Sequence, residues 1–239
     1  MIRRCSRPVA VAIGLLGAAI AGACGVGDRG QPAREQPAGA PARPLTTERA
    51  SRPSRPRIVV LGDSLTAGVG LPVTGSYPSL LQERLDGGGY EFEVVNAGVS
   101  GDTSAGGLSR LDWSLDGDVR ILIVALGGND GLRGLPPDEM KRNLGEVIRR
   151  ARERDVAVLL AGMESLTNMG PDYQRRFHDV FPALAREYQV SLLPFLLEGV
   201  AGRADLNQSD GIHPTAEGAR VIAGHVWRVL EPMARAASR

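Results

Sequence analysis

A chain of 239 residues with a formal net charge of +1 is long enough for one well-buried domain plus extensions, and its balanced charge excludes the electrostatic footprint of a nucleic-acid binder. Lys141 is the only lysine and no G-x-x-x-x-G-K-[ST] surrounds it, which excludes a P-loop. Cys5 and Cys24 both fall near the N-terminus, outside the folded part, and His178, His213 and His225 are scattered without metal-ligand spacing, so neither a metal nor a cofactor is expected.

Arg3, Arg4 and Arg7 precede an uncharged run from Val9 to Ala23, the charged and apolar regions of an export signal over residues 1–23. The run is short for a membrane span. Ala21-Gly22-Ala23-Cys24 resembles a bacterial lipoprotein box, which would lipidate Cys24 and anchor the chain to a membrane of the cell envelope. Ala21 stands where that box usually has an aliphatic residue, so ordinary cleavage after Ala23, giving a periplasmic or secreted protein, is the alternative. Residues 24–57 are rich in Pro, Ala, Gly and Arg without apolar periodicity, and read as an extended, disordered tether.

The domain is expected over residues 58–239. Ile58-Val59-Val60-Leu61 reads as a buried strand that ends abruptly at Gly62-Asp63-Ser64-Leu65. Apolar residues at helical spacing predict a helix over 76–85, stopped by Gly87-Gly88-Gly89. A second strand at 92–96 leads into the glycine-containing loop Ala97–Thr103, and a short helix covers about 104–111. Val119–Leu126 is the most continuous apolar run, hence a central strand buried on both faces, and it ends in Gly127-Gly128-Asn129-Asp130. Pro136, Pro137 and Asp138 open a helix to about Arg154. A fourth strand at 156–163, a looser stretch at 164–171, a helix at 173–188, a short fifth strand at 190–194 and a final helix at 215–234 complete the chain. Alternation of this kind predicts a three-layer α/β/α fold with a doubly wound parallel sheet of about five strands.

In such a sheet the loops carrying Ser64, Gly98 and Asn129 share the carboxyl edge, and Asp210-Gly211-Ile212-His213-Pro214 lies just ahead of the last helix. Acyl transfer through a serine needs a base, a carboxylate that fixes the base's tautomer, and donors for the oxyanion. Asp210 and His213, three residues apart across a turn, suit the carboxylate and base; the Ser64 and Gly98 N–H groups and the Asn129 amide suit the oxyanion. Gly62-Asp63-Ser64-Leu65, Gly98 within N-A-G-x-S-G-D-T, Gly127-Gly128-Asn129-Asp130 and Asp210-x-x-His213 resemble, in order, the four blocks of the SGNH (GDSL) hydrolases. Within them the chain is most similar to the exported acyl-CoA thioesterase I, lysophospholipase and arylesterase group, from Ile58 to about Pro232. The resemblance implies Ser64 as nucleophile, His213 as base and Asp210 as its orienter. It also implies an oxyanion hole of Ser64, Gly98 and Asn129, small acyl-ester substrates and no cofactor. Close relatives tend to carry P-x-N-Y-G after the fourth strand, where this chain has Leu166-Thr167-Asn168-Met169-Gly170.

Leu132, Leu135 and Met169 are the candidates for an acyl groove. Asp63 is expected to stabilise its turn, Asp130 to be structural, Asp102 and Thr103 to brace the Gly98 loop, and His178 and His225 to be surface or packing residues. Two other readings remain at this stage: a carbohydrate O-deacetylase using the same residues, and a non-catalytic surface lipoprotein. Thr66 breaks the G-x-S-x-G elbow of α/β-hydrolases, and Gly62 to Gly70 does not make G-x-G-x-x-G.

Overall fold

A computed structural model describes residues 55–238; the expected export signal, Cys24 and the spacer through Ser54 lie outside the described residues. The chain runs β1 (Arg57–Gly62), α1 (Ser64–Ala67), α2 (Tyr77–Gly87), β2 (Glu93–Gly98), α3 (Ser104–Ser109), α4 (Leu111–Ser114), β3 (Val119–Ala125), α5 (Gly128–Leu132), α6 (Pro137–Arg152), β4 (Ala157–Ala161), α7 (Pro171–Tyr188), β5 (Ser191–Leu193) and α8 (Ala216–Ala237). All five strands are parallel, in the order β2-β1-β3-β4-β5. The predicted doubly wound α/β/α architecture is the one observed.

The strand order decides where a ligand can sit. From β1 the chain crosses to β2 on one flank, then returns to β3 on the other, so the connections diverge between β1 and β3 and leave a crevice at their carboxyl ends. Register sets Gly62 level with Gly98 on one side and Ala125 on the other, which brings the starts of three loops to one height.

Burial explains why these segments take these forms. In β3 every residue but Arg120 is buried, as expected of a central strand covered on both faces. Helices α2 and α8 cover one face; α3, α6 and α7 cover the other. Pro137 begins α6, Asp138 and Glu139 occupy its first turn and Arg149, Arg150 and Arg152 its last, which matches the helix dipole at both ends. Its buried positions Met140, Leu144, Val147, Ile148 and Ala151 recur at helical spacing. They face α7, which buries Phe177, Val180, Phe181 and Leu184.

Three local features differ from the sequence expectation. Strand β2 runs on to Gly98, Asn129 sits on the one-turn helix α5 rather than in an open loop, and the expected helix over 104–111 breaks at Arg110. Arg110 sends its guanidinium back to Ala97 O and Gly62 O, at 2.7 and 2.8 Å, and so ties α3 and α4 to the ends of β1 and β2. The segment from 195 to 215 is built of turns around a single antiparallel bridge, Asn207 to Pro214.

Helix α8 starts against that segment. Thr215 caps it by accepting from Gly218 N, and a Cβ at Gly218 would lie 2.2 Å from Leu206 O. Gly218→Ala is therefore expected to destabilise the protein by about 1–3 kcal/mol through enforced overpacking. Gly224→Ala, whose new Cβ meets nothing nearer than the mobile Arg84 side chain at 3.8 Å, is expected to stabilise by about 0.5–1 kcal/mol. Urea unfolding of the two variants checks both signs.

Candidate active site

Ser64 opens α1 at the carboxyl edge of β1. The turn is held by Asp63, whose side chain accepts from Leu65 N at 3.0 Å as the helix N-cap. Close backbone approach is required on both sides: a Cβ at Gly62 would fall 1.9 Å from Thr66 Oγ1, and one at Gly98 would fall 2.3 Å from Ala67 N. Only glycine lets α1 sit this low against β2.

From the other end of the chain comes His213. Its Nε2 lies 2.9 Å from Ser64 Oγ and its Nδ1 2.6 Å from Asp210 Oδ2. A carboxylate only accepts, so in the neutral ring Nδ1 carries the proton and Nε2 is left to accept from the serine hydroxyl. Asp210 Oδ1 takes the Ile212 and His213 N–H groups at 2.9 and 3.0 Å, which folds the loop around the carboxylate. These bonds, that of His213 first, hold the Asp210 pKa down to about 2, so it stays ionised across the working range.

The loop bearing this pair is pinned by residues that the motifs do not mark. Asn207, buried, donates to Val200 O and Arg203 O at 2.6 and 2.8 Å. Gln208 Nε2 donates to Pro214 O at 2.9 Å and to Val69 O at 2.8 Å, joining the histidine loop to the chain just after α1. On the serine side of the site, Arg110 bonds Asp102 at 2.6 Å besides the two carbonyls already described. Gln208 and Arg110 reach across the chain, to Val69 O and Gly62 O, whereas Asn207 acts within its own turn; no motif marks any of the three.

The candidate oxyanion donors lie in different states. Ser64 N–H has no hydrogen-bond partner among the described residues. Gly98 N donates to Asn96 Oδ1 at 3.0 Å, and Asn129 Nδ2 donates to Asp63 Oδ2 at 3.2 Å and Asp102 O at 3.0 Å. Asp130, buried behind Asn129, accepts from Ser104 N and Ser104 Oγ at 2.8 and 2.5 Å, and so fastens α5 to α3. Thr103 caps α3.

A cavity of about 340 Å³ opens beside Ser64. Leu132 lines it, with Met163, Leu166, Phe195, Leu197 and Ile212. Leu135 and Met169, expected in the groove, are not in its wall: Leu135 O accepts from Tyr173 at 2.8 Å, and Met169 packs over Gly134. The short helical turn at Thr167–Met169 and the start of α7 at Pro171 direct Met169 there. A hollow of about 510 Å³ at the opposite edge, flanked by Arg120 and Arg152, contains none of the candidate residues. His178 pairs with Glu164 on the surface at 2.6 Å, and His225 lies within α8.

A three-layer parallel fold with a serine, histidine and aspartate in line at its switch point, beside an apolar cavity, is the layout of a serine hydrolase that cleaves esters. Residues 60–221 match the GDSL-like Lipase/Acylhydrolase family. Esterase TesA of Pseudomonas aeruginosa is 42% identical over 177 residues, which span 74% of this chain and 88% of that protein. The Thioesterase 1/protease 1/lysophospholipase L1 of Escherichia coli is 36% identical over 177 residues, 74% of this chain and 84% of that one. The crystal structure of AlinE4, an SGNH-hydrolase family esterase, superposes with a TM-score of 0.64 at 42% identity, covering 76% of this chain and 98% of that one. The chain belongs to the GDSL-like (SGNH) lipase and acylhydrolase family, and its activity is serine ester hydrolysis.

Asp63 is 3% exposed, and burial raises its pKa to about 6 against the hydrogen bonds from Leu65 and Asn129 that lower it. The folded protein thus holds this proton more tightly than the unfolded chain, and stability from this group is lost as pH rises from about 4 to about 6. Asp63→Asn should remove that dependence. Unfolding free energies at pH 4 and pH 7 are expected to show wild type losing about 3 kcal/mol relative to the variant over the interval.

Proposed function

We propose that Ser64 is the nucleophile of an acyl-enzyme mechanism, with His213 as general base and Asp210 as the carboxylate that orients it. The observation that carries this reading is the unbroken line Asp210 Oδ2, His213 Nδ1, His213 Nε2, Ser64 Oγ, with gaps of 2.6 and 2.9 Å at its two hydrogen bonds. Attack by Ser64 Oγ on the ester carbonyl passes the hydroxyl proton to Nε2, and the imidazolium is stabilised by the ionised Asp210. His213 then protonates the leaving alcohol or thiol. Water then attacks the acyl carbonyl and gives a proton to the same nitrogen; the bond to Ser64 Oγ breaks, the acid leaves, and Nε2 returns the proton to Oγ.

The oxyanion falls to the N–H groups of Ser64 and Gly98 and the Asn129 amide. Ser64 N–H is free to receive it at once; the Gly98 N–H becomes available when the Asn96 side chain releases it, and the Asn129 amide when it leaves Asp63 or Asp102. Each donor of this kind is worth about 10²–10³ in rate.

Acyl groups of carboxylic esters, thioesters or lysophospholipids fit the cavity beside Ser64. Its lining is mostly apolar, with Leu132, Met163, Leu166, Phe195, Leu197 and Ile212, and of its polar residues Glu164 pairs with His178 and Asn207 with Val200 O, which supports a hydrocarbon chain over an acetylated sugar. Export rests on the arginine-led apolar run ahead of Ala23, and attachment to a membrane on Cys24.

Ser64→Ala and His213→Ala are each expected to lower kcat for p-nitrophenyl acetate and octanoate by at least 10³-fold with the fold intact by circular dichroism. Turnover within tenfold of wild type in either variant would remove that residue from the mechanism.

A further inference from the structure

Large apolar side chains are exposed at seven places among the described residues, and six of them sit on one edge: Val69, Val73, Val99, Leu132, Leu166 and Ile212. They come from the connections after β1, β2, β3 and β4 and from the loop ahead of α8, at the carboxyl edge of the sheet where the cavity beside Ser64 lies. The seventh, Trp113, is on α4, which leads down to the start of β3 at the other edge. Singly scattered apolar residues need no explanation, but a set gathered around one opening does.

The charge pattern of the same loops is as uneven. In a chain with 23% charged residues there is none from Ser64 to Gln82, none from Val94 to Gly101 and none from Ser165 to Pro171. The cations that these loops do carry are engaged, Arg133 with Gly101 O and Arg203 with Asp205. A face that attracted anionic lipid would present a cluster of free Lys or Arg. This edge presents hydrocarbon and no cluster of free cations, and its carboxylates at Glu164 and Asp210 are paired with His178 and His213. It is also continuous with the cavity, since Leu132, Leu166 and Ile212 line the interior and are exposed outside it.

We propose that this apolar edge docks on the surface of a neutral or zwitterionic lipid aggregate, so that an acyl chain passes from the aggregate into the cavity without crossing water. The proposal deepens the Ser64 reading and rests on it. Val73 is the residue to test, because it is 86% exposed, stands outside the cavity wall, and lies on a surface turn between α1 and α2.

The test is partition onto phosphatidylcholine vesicles, measured by co-sedimentation of the full chain carrying Cys24→Ser, so that lipidation cannot supply the binding and every variant shares one N-terminus. Val73→Asp is expected to lower the partition coefficient about tenfold and Val73→Trp to raise it by a similar factor. Both should hydrolyse monomeric p-nitrophenyl acetate at the parent rate. Equal partition of the three proteins, or a response to Val73 seen only on vesicles rich in phosphatidylglycerol, would overturn the docking face. Ser64→Ala keeps the whole edge and should partition like its parent while losing acetate hydrolysis; hydrolysis retained there would overturn the nucleophile and not the docking face.

Discussion

Ser64 and His213 meet at 2.9 Å although 149 residues separate them in the chain. A hydrogen bond of that kind contributes on the order of 1 kcal/mol by itself and cannot hold two loops together. The surroundings hold them. Parallel register places the ends of β1, β2 and β3 at one height, glycines at 62 and 98 allow α1 to settle between them, and Asp63 caps the turn from below. From the opposite direction, Asn207 and Gln208 fix the turns that precede α8, and Gln208 bridges to the residues after α1. The contact is thus the product of the fold rather than a cause of it, and its precision depends on hydrogen bonds between side chains and backbone around the reacting atoms.

Much of this was legible from residue pattern because the cues are local. Apolar β-branched runs that stop at Gly62 and Gly127 mark strand ends, Pro137 with Asp138 marks a helix start, and the divergence point of a doubly wound sheet follows from the order of elements. Asp210 and His213 are near enough in sequence to be read as a pair. The roles for Asp63 and Asp130 as turn and packing residues also follow from what precedes and follows them. What escaped is non-local. Arg110 breaks a helix to reach two strands, and no periodicity announces that. Met163, Phe195 and Leu197 become cavity wall only when the ends of β4 and β5 are laid beside α5, whereas Leu135 and Met169, apolar and on suitable loops, are drawn into contacts with Tyr173 and Gly134 instead. An apolar loop residue carries no mark of which side it will face.

Two carboxylates near the serine have opposite environments, and the difference suits different tasks. Asp210 accepts three hydrogen bonds in an exposed loop and stays charged to about pH 2. Asp63 is buried and keeps its proton up to about pH 6. The first can stabilise an imidazolium throughout the neutral range; the second holds the Asn129 amide and the Ser64 turn in place at a cost in stability that grows as it ionises. Around both, a largely apolar rim, whose carboxylates Glu164 and Asp210 are paired with His178 and His213, leads from solvent to the cavity and joins the chemistry of the site to the kind of surface that presents its substrate.

The most direct test of the account is the second-order rate at which a fluorophosphonate becomes attached to the protein, with the modified residue located by mass spectrometry, in wild type and in Asp210→Asn. Covalent capture requires the same serine, base and orienting carboxylate as the first half of ester hydrolysis, without any assumption about the natural substrate. The account predicts a single adduct on Ser64 and a fall in rate of at least 10³-fold in Asp210→Asn. An adduct on another residue, or an Asp210→Asn rate equal to wild type, would contradict it.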